Sequence, residues 1–149
     1  MFSVPTKTQY GIRALVHLAR IDGTPASEAS AGIAKAEGIP SKYLEGILSQ
    51  LKAAGLVLSE RGKNGGYRLA KPASEMRMLE IVEALEGEVK PVGCLDDAGS
   101  CAQGDCCLPR IFWVGLKEAI DGYLGSRTLL DVIEASEPLG AGSGSAKER

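Results

Sequence analysis

The stretch from residue 41 to residue 70 constrains the fold more than any other part of this sequence. It begins with apolar side chains at the helical spacing i, i+3, i+4 and i+7, namely Leu44, Ile47, Leu48 and Leu51. The hydroxyl of Ser41 is predicted to cap this helix, and Gly55 is predicted to end it. The residues that follow change from a helical period to two short β segments. The sequence therefore predicts a helix that runs directly into a tight hairpin.

The hairpin is predicted from strands at 57–60 and 67–70, which flank a glycine-rich tip. Glycine permits the positive φ angles that a tight turn needs. Arg61 and Lys63 lie at the tip, and Arg68 lies on the return strand. Such a β-wing presents cations to phosphates or to a minor groove. An ordinary hairpin with a solvated tip is the alternative.

Two helices are predicted ahead of this stretch. The first spans 6–20 and carries an apolar stripe of Tyr10, Ala14, Leu15, Leu18 and Ala19, with Gly23 as its stop. A short second helix ends at Gly38. A helix, a glycine turn and another helix form the helix-turn-helix pattern, which occurs in DNA-binding proteins and also in others. His17, the only histidine, is predicted to be a partly buried or surface residue rather than a metal ligand.

Helical patterns also follow the hairpin. Ser74 is predicted to cap a helix that ends at Gly87, with a core face of Met76, Leu79, Ile81, Val82 and Leu85. Pro109 is predicted to start a long helix. Its near-heptad seam consists of Trp113, Leu116, Ile120, Tyr123 and Leu124. A seam of this kind favours packing against another helix, which a symmetric dimer would supply.

These elements divide the chain into four parts. A winged helix-turn-helix domain is expected at 1–87, a cysteine loop at 88–108, a dimerisation helix and a terminal helix at 109–135, and a disordered Gly/Ser-rich tail at 136–149. The predicted fold class is therefore mainly α with a small β-wing. No run of about 18 apolar residues and no signal-peptide pattern is present, so we expect a cytoplasmic protein with no membrane partner.

The charge is unevenly distributed along the chain. Residues 1–72 carry ten Lys/Arg and five Asp/Glu, a net charge of +5, whereas residues 73–149 carry seven and fourteen, a net charge of −7. Together they give the overall charge of −2. A basic amino-terminal half predicts an anionic partner for that half.

All four cysteines fall in one loop-like window, at Cys94, Cys101, Cys106 and Cys107. In a reducing cytosol, clustered cysteines more often bind metal or sense redox state than form disulfides. Six and five residues separate Cys94, Cys101 and Cys107, which is wider than the usual pairs of a zinc site and suits an iron–sulfur cluster better. Zinc, reduced surface thiols and disulfides remain alternatives.

Four segments carry a resemblance to a known family. They are residues 10–15 (Tyr-Gly-Ile-Arg-Ala-Leu), 41–45 (Ser-Lys-Tyr-Leu-Glu), 55–57 (Gly-Leu-Val, four residues after Leu51) and 61–67 (Arg-Gly-Lys-Asn-Gly-Gly-Tyr). The cysteine loop and the Pro-led helix containing Trp113 follow in the same order. Residues 1 to about 136 thus resemble the bacterial winged-helix regulator family that includes IscR, NsrR and RirA.

This resemblance implies a homodimeric transcription regulator, expected to be a repressor, that binds double-stranded DNA. Ser41, Lys42, Tyr43 and Gln50 would contact bases or nearby phosphates, and Arg61 and Lys63 would hold the DNA backbone or minor groove. It also implies a [2Fe-2S] or [4Fe-4S] cluster on Cys94, Cys101 and Cys107, through which iron, redox state or nitric oxide is sensed.

The fourth ligand differs among members of the family. Some use a histidine three residues after the last cysteine, where this chain has Arg110, and others use a partner's carboxylate near residues 8–9, here Thr and Gln. Cys106 or an exogenous ligand could substitute.

Two other functions stay open: the same DNA-binding regulator sensing through thiol–disulfide chemistry, and a cysteine-based redox protein. The sequence shows no nucleophile–base pair and no nucleotide-binding loop, so we do not expect an enzyme.

Overall fold

The computed structural model describes residues 3–21, 27–63, 65–92, 95 and 108–136. The predictions for Gly23, the four cysteines and the tail beyond residue 136 lie outside these residues. No helix in the described ranges is long and apolar enough to cross a bilayer.

Six α-helices and one hairpin make up the described part of the chain. In order they are α1 (Thr6–Ile21), α2 (Ser30–Glu37), α3 (Ser41–Ala53), β1 (Val57–Glu60), β2 (Gly66–Leu69), α4 (Met78–Glu86), α5 (Leu108–Ser126) and α6 (Leu129–Ser136), with a 3₁₀ turn at Ala73–Glu75 before α4. This architecture confirms the predicted fold class. Strand β2 begins one residue earlier than predicted because Gly66 already pairs with Glu60.

The core lies between α1, α3 and α4. The four apolar residues predicted for α3 are all buried, and they meet Leu15 and Leu18 of α1 and Ile81 of α4 in one cluster. Gly11 allows α1 and α4 to approach, because a Cβ there would lie 2.4 Å from Cδ1 of Leu85. The periodicity of the sequence thus selects the face of α3 that is buried and leaves its polar face outward.

Both predicted serine caps are wrong. Pro40, not Ser41, occupies the N-cap of α3, and the amide of Leu44 donates to the Pro40 carbonyl. Ser74 lies in the 3₁₀ turn, and α4 begins at Met78 after Arg77. In both places a proline, Pro40 or Pro72, holds the backbone extended ahead of the serine. As a result Ser41 lies in the first turn of α3, and Ser74 lies within the 3₁₀ turn.

Strands β1 and β2 form an antiparallel pair with Val57 opposite Leu69 and Glu60 opposite Gly66. A third segment extends this sheet. Glu28 and Tyr67 exchange both of their backbone hydrogen bonds, Glu28 N to Tyr67 O at 3.0 Å and Tyr67 N to Glu28 O at 2.7 Å. The base of the hairpin is therefore joined to the segment just ahead of α2.

After α5 the chain returns to the start of α4 and then forms α6. The amide of Met78 donates to the Arg127 carbonyl at 2.9 Å, and the amide of Leu129 donates to the Met76 carbonyl at 2.8 Å. Thr128 and Asp131 cap α6 reciprocally, because each backbone amide donates to the other's side chain. These hydrogen bonds fix the carboxyl-terminal end of α5 on the winged-helix part.

Candidate nucleic-acid interface

The turn between α2 and α3 has the geometry of a helix-turn-helix. Gly38 ends α2 with a φ of 63°, and its amide donates to the Ala34 carbonyl. Ile39 is buried and pins the turn to the core. Because Gly38 adopts the left-handed conformation without a Cβ penalty, α3 can leave the turn at once with its first residues exposed.

The exposed face of α3 carries all four side chains predicted to meet DNA from this helix. Ser41, Lys42, Tyr43 and Gln50 are exposed, while the apolar face beneath them is buried. Tyr43 does not project alone. Its ring meets Tyr10 of α1 edge-on at 5.7 Å, and the guanidinium of Arg13 lies 5.9 Å from the Tyr10 ring centroid. These contacts restrain the aromatic side chain at the start of α3.

The tip of the hairpin presents two cations. Arg61 and Lys63 are exposed, and neither forms an ion pair within the described part of the chain. Gly62 lies between them with a φ of 120°, a conformation that other residues rarely adopt. The turn therefore holds both cations at the end of the hairpin, where they can reach a polyanion.

Arg68, the third cation predicted for the wing, has a different environment. Its Nε donates to Glu60 Oε1 across the strand pair at 2.6 Å. The hydroxyl of Ser27 also donates to this carboxylate, at 3.1 Å. The hydrogen bond from Arg68, followed by that from Ser27, lowers the pKa of Glu60 below its usual value. Arg68 is thus neutralised at the base of the wing rather than offered to a phosphate.

The two consecutive glycines of the wing have a structural role. A Cβ on Gly66 would lie 2.3 Å from the backbone carbonyl atoms of Glu28, and one on Gly65 would lie 2.4 Å from the Glu60 carbonyl oxygen. Neither position has room for a side chain. Gly66 therefore lets the third segment approach the hairpin, and Gly65 lets the hairpin close on itself, roles that the glycine-rich pattern alone did not reveal.

Described residues on either side of the cysteine window in the sequence form a polar cluster on α5. Lys117 Nζ lies 2.5 Å from Asp121 Oδ2 and 3.3 Å from Glu88 Oε1. The hydrogen bond that Lys117 donates to Asp121 raises the pKa of Lys117 most, desolvation opposes this rise, and the hydrogen bond to Glu88 adds to it. Lys117 thereby ties the segment that leaves α4 to the middle of α5.

Two of the positions considered for a fourth iron ligand, Thr8 and Gln9, are engaged in other hydrogen bonds. The buried hydroxyl of Thr8 donates to Glu86 Oε1 at 2.7 Å, and Gln9 Nε2 donates to the Val4 carbonyl at 2.8 Å. Among the described residues no group of three His, Cys, Asp or Glu side chains could hold a metal ion. Cys94, Cys101 and Cys107 remain predicted ligands.

Sequence reasoning missed a second polar cluster beside α3. The imidazole of His17 lies between the carboxylates of Glu28 and Glu37, and Arg13 also contacts Glu37. The spacing of Tyr10, Arg13 and His17, i, i+3 and i+7, places all three on one face of α1 and was available as a signal. Their partners depend on the tertiary fold.

Taken together, the exposed amino-terminal turn of α3 and the adjacent cationic hairpin define a winged helix-turn-helix protein of the DNA-binding regulator class. The profile of the Rrf2 family, iron-dependent transcriptional regulators, matches residues 4–135. The chain belongs to this family, and it is a transcriptional regulator rather than an enzyme. The predicted resemblance is confirmed.

Relatives and solved structures agree with this assignment. An HTH-type transcriptional regulator of Neisseria meningitidis is 38% identical over 129 residues, covering 87% of this chain and 86% of the relative. IscR of Klebsiella pneumoniae is 34% identical over 134 residues, covering 90% and 81%. The structure of T. potens IscR superimposes with a TM-score of 0.77 at 31% identity, covering 96% and 94%. That of CymR, the global cysteine regulator of B. subtilis, gives 0.76 at 31%, covering 92% and 100%.

Proposed function

We propose that this chain is a cytoplasmic, homodimeric repressor that binds palindromic DNA and senses iron, redox state or nitric oxide through an iron–sulfur cluster. One observation carries the DNA-binding part. The exposed polar start of α3 and the cationic wing tip lie on the half of the chain whose net charge is +5, although the whole chain is acidic. Only this half is electrostatically suited to a polyanion.

In the proposed complex the amino-terminal turn of α3 enters a major groove. Ser41, Lys42, Tyr43 and Gln50 then contact base edges and neighbouring phosphates, and Tyr10 keeps the Tyr43 ring in place from behind. Arg61 and Lys63 contact the backbone or the minor groove beside it. Two such units in a symmetric dimer would bind half-sites about 34 Å apart.

The proposed dimer forms through α5. Ile111, Phe112 and Tyr123 of this helix are 72%, 67% and 63% exposed, a high value for large apolar side chains. Gly115 and Gly122 have open space above their Cα atoms. A second α5 could therefore approach closely and cover the apolar residues on either side.

The predicted α5 seam is only partly available for this contact. Ile120 and Leu124 line a groove of about 880 Å³ against the chain's own α4, together with Met78 and Val82. The outward apolar residues are Ile111, Phe112, Val114 and Tyr123. Tyr123 is the one that also belongs to the predicted seam and borders the groove. The proposed interface thus overlaps the predicted seam only at Tyr123 and is otherwise rotated around α5.

The proposed sensor is the cysteine window. Cys94, Cys101 and Cys107 would hold the cluster, because three thiolates would fill three of the four terminal ligand positions of a [2Fe-2S] or [4Fe-4S] group. When bound, the cluster supplies a cross-link between thiolates that iron loss, oxidation or nitric oxide can break. Cys107 directly precedes α5, and Lys117 holds Glu88, six residues ahead of Cys94, to the same helix. The proposed sensor is therefore joined in sequence to segments that contact or continue into the proposed dimerisation helix.

A second candidate is the same regulator sensing through its thiols. The similarity to CymR, a cysteine regulator of which an oxidised form from Staphylococcus aureus has been solved, favours this version. Arg110, Thr8 and Gln9 also leave the chain without the family's usual fourth ligands. In this version Cys106 and Cys107, or a longer-range pair, respond to oxidation without a metal.

DNA binding is tested by selecting a site from random duplexes with the full-length protein and measuring affinity at about 50 and about 300 mM salt. Phosphate contacts release counterions, so we expect affinity to fall steeply as salt rises. Failure to select any sequence, or equal affinity at both salt concentrations, would contradict the proposed interface.

The sensor is tested by measuring iron and acid-labile sulfide per chain after anaerobic purification, with the visible spectrum of the same sample. Equal iron and sulfide that disappear in Cys94→Ala support a cluster, and their amount distinguishes two-iron from four-iron forms. Cys106→Ala tests the fourth position, because loss of iron and sulfide would assign Cys106 as a ligand and retention of both would favour an exogenous one. No iron after reconstitution would favour the thiol mechanism.

A further inference from the structure

His17, the only histidine of the chain, is placed between two carboxylates. Its Nε2 lies 2.9 Å from Glu28 Oε2, and its Nδ1 lies 3.2 Å from Glu37 Oε1. The side chains of His17, Glu28 and Glu37 are 17%, 30% and 23% exposed, so water only partly screens them. Gly32 makes this arrangement possible, because a Cβ there would lie 2.6 Å from Glu28 Oε1.

The two carboxylates belong to the two parts of the DNA-binding surface. Glu28 is the residue whose backbone pairs with Tyr67 at the base of the wing. Glu37 is the last residue of α2, directly ahead of the turn into α3. Its carbonyl and its carboxylate are also contacted by Arg13. His17 therefore connects the wing base with the turn that sets the position of α3.

The geometry does not suit a metal ion. The two carboxylates face different nitrogens on opposite sides of the imidazole ring, so one cation could not bind the ring and both carboxylates together. A neutral imidazole has one N–H donor and one acceptor nitrogen, whereas the imidazolium has two donors. Only the imidazolium can donate to Glu28 and Glu37 at once.

We propose that His17 is a positioning residue for DNA binding, whose ring, held between Glu28 and Glu37, ties the wing base to the helix-turn-helix. The proposal rests on the proposed DNA-binding function. Within the described residues, the charged groups within ion-pair distance of this ring are Glu28 and Glu37, and Arg13 is the cation on Glu37. Losing the ring contacts should loosen the wing base from the turn that positions α3.

The first experiment measures DNA affinity of the full-length protein at constant pH and ionic strength. We expect His17→Leu, which removes both ring nitrogens, to lose about tenfold in affinity, the order of one charge-assisted hydrogen bond. His17→Gln keeps a hydrogen-bond donor and should recover part of that loss. Arg20→Gln, on an exposed turn of the same helix, is the matched control for a polar substitution on α1 and should lose less affinity than His17→Leu.

The double variant Glu28→Gln/Glu37→Gln supplies a second test, because it keeps the size of both partners and removes their charge. We expect it to lose affinity as His17→Leu does, and adding His17→Leu to it should cost little more, because the three side chains act as one unit. Losses that add in full would overturn the proposal, since they indicate that His17 acts independently of the two carboxylates. Wild-type affinity in His17→Leu would also overturn it.

A measurement without DNA separates this proposal from the proposed function. Hydrogen exchange of the Tyr67 amide reports the pairing with Glu28. Protection of this amide should decrease in His17→Leu and stay at the wild-type level in Arg20→Gln. Wild-type protection in His17→Leu would overturn the connection even if DNA binding is found. Lost protection in a protein that binds no DNA would uphold the connection and reject the DNA-binding function.

Discussion

Helices α3 and α5 are both amphipathic, yet they leave opposite kinds of surface exposed. Helix α3 buries its four apolar residues and presents Ser41, Lys42 and Gln50 outward. Helix α5 leaves Ile111 and Phe112 mostly exposed. The packing of α3 is complete within one chain, so its outward face is free to meet a polar ligand. The face of α5 is incomplete in one chain, which is what an interface between proteins requires.

The largest effect is expected from the double substitution Ile111→Glu/Phe112→Glu. Charges on the apolar face of α5 should give a monomer, and losing the second half-site should reduce DNA affinity by about 100-fold or more. Light scattering after size exclusion measures the mass, and anisotropy measures the affinity. Leu130→Glu changes a partly exposed leucine on α6 and should remain a dimer. A double variant of unchanged mass would refute the assignment of α5.

Gly66→Ala should damage the DNA-reading half while leaving α5 intact. The added methyl group would meet the Glu28 backbone at 2.3 Å, and such overpacking costs roughly 1–3 kcal/mol in the free energy of unfolding. Gly46→Ala is the matched control on α3. No atom lies within 4 Å of its added methyl group, so it should stabilise the helix by roughly 1 kcal/mol. Urea unfolding distinguishes the two, and equal stabilities would contradict the tight junction at Gly66.

Removing the wing cations should alter affinity but neither stability nor dimerisation. We expect Arg61→Ala/Lys63→Ala to weaken DNA binding by about tenfold and to lower the salt slope by about one for each lost phosphate contact. Arg68→Ala should have a much smaller effect on binding, because Glu60 already neutralises Arg68. If Arg68→Ala reduced affinity as strongly as the double substitution, the distinction between tip and base of the wing would fail.

The smallest effect concerns Glu60 and pH. Because Arg68 and Ser27 lower its folded pKa below 4.5, Glu60 contributes stability above its unfolded pKa. That contribution is lost as pH falls through the lowered folded value. The difference in unfolding free energy between wild type and Glu60→Gln should thus be present near pH 6 and decrease as the pH is lowered below 4.5. A difference that persists in acid would assign the effect to size rather than charge.

Local patterns predicted the elements well where a single physical rule dominates. The apolar period gave the buried face of α3, and glycines with positive φ mark the ends of α2 and α4 at Gly38 and Gly87. The serine caps failed because Pro40 and Pro72 shift where each turn begins. Whether a serine caps a helix depends on the backbone conformation of the residues just before it, and the serine does not determine that conformation.

The site was predicted less completely because its charges are paired through the tertiary fold. The exposed positions of α3 and the tip cations follow from sequence spacing. The pairing of Arg68 with Glu60 depends on strand register, and the cluster around His17 joins three segments far apart in the chain. Which apolar face of α5 points outward depends on where α4 lies. None of these contacts has a local signature.

The return of the chain from α5 to α4 holds the long helix through main-chain hydrogen bonds at one end. Main-chain hydrogen bonds hold its carboxyl-terminal end at Arg127 and Leu129, whereas the cysteine window joins it at the opposite end. At 1.5 Å per residue, the 19 residues of α5 form an arm of about 28 Å. A tilt of about 10° around the fixed end would move the far end by about 5 Å, which exceeds the size of a methyl group and would change which side chains meet across a helix pair.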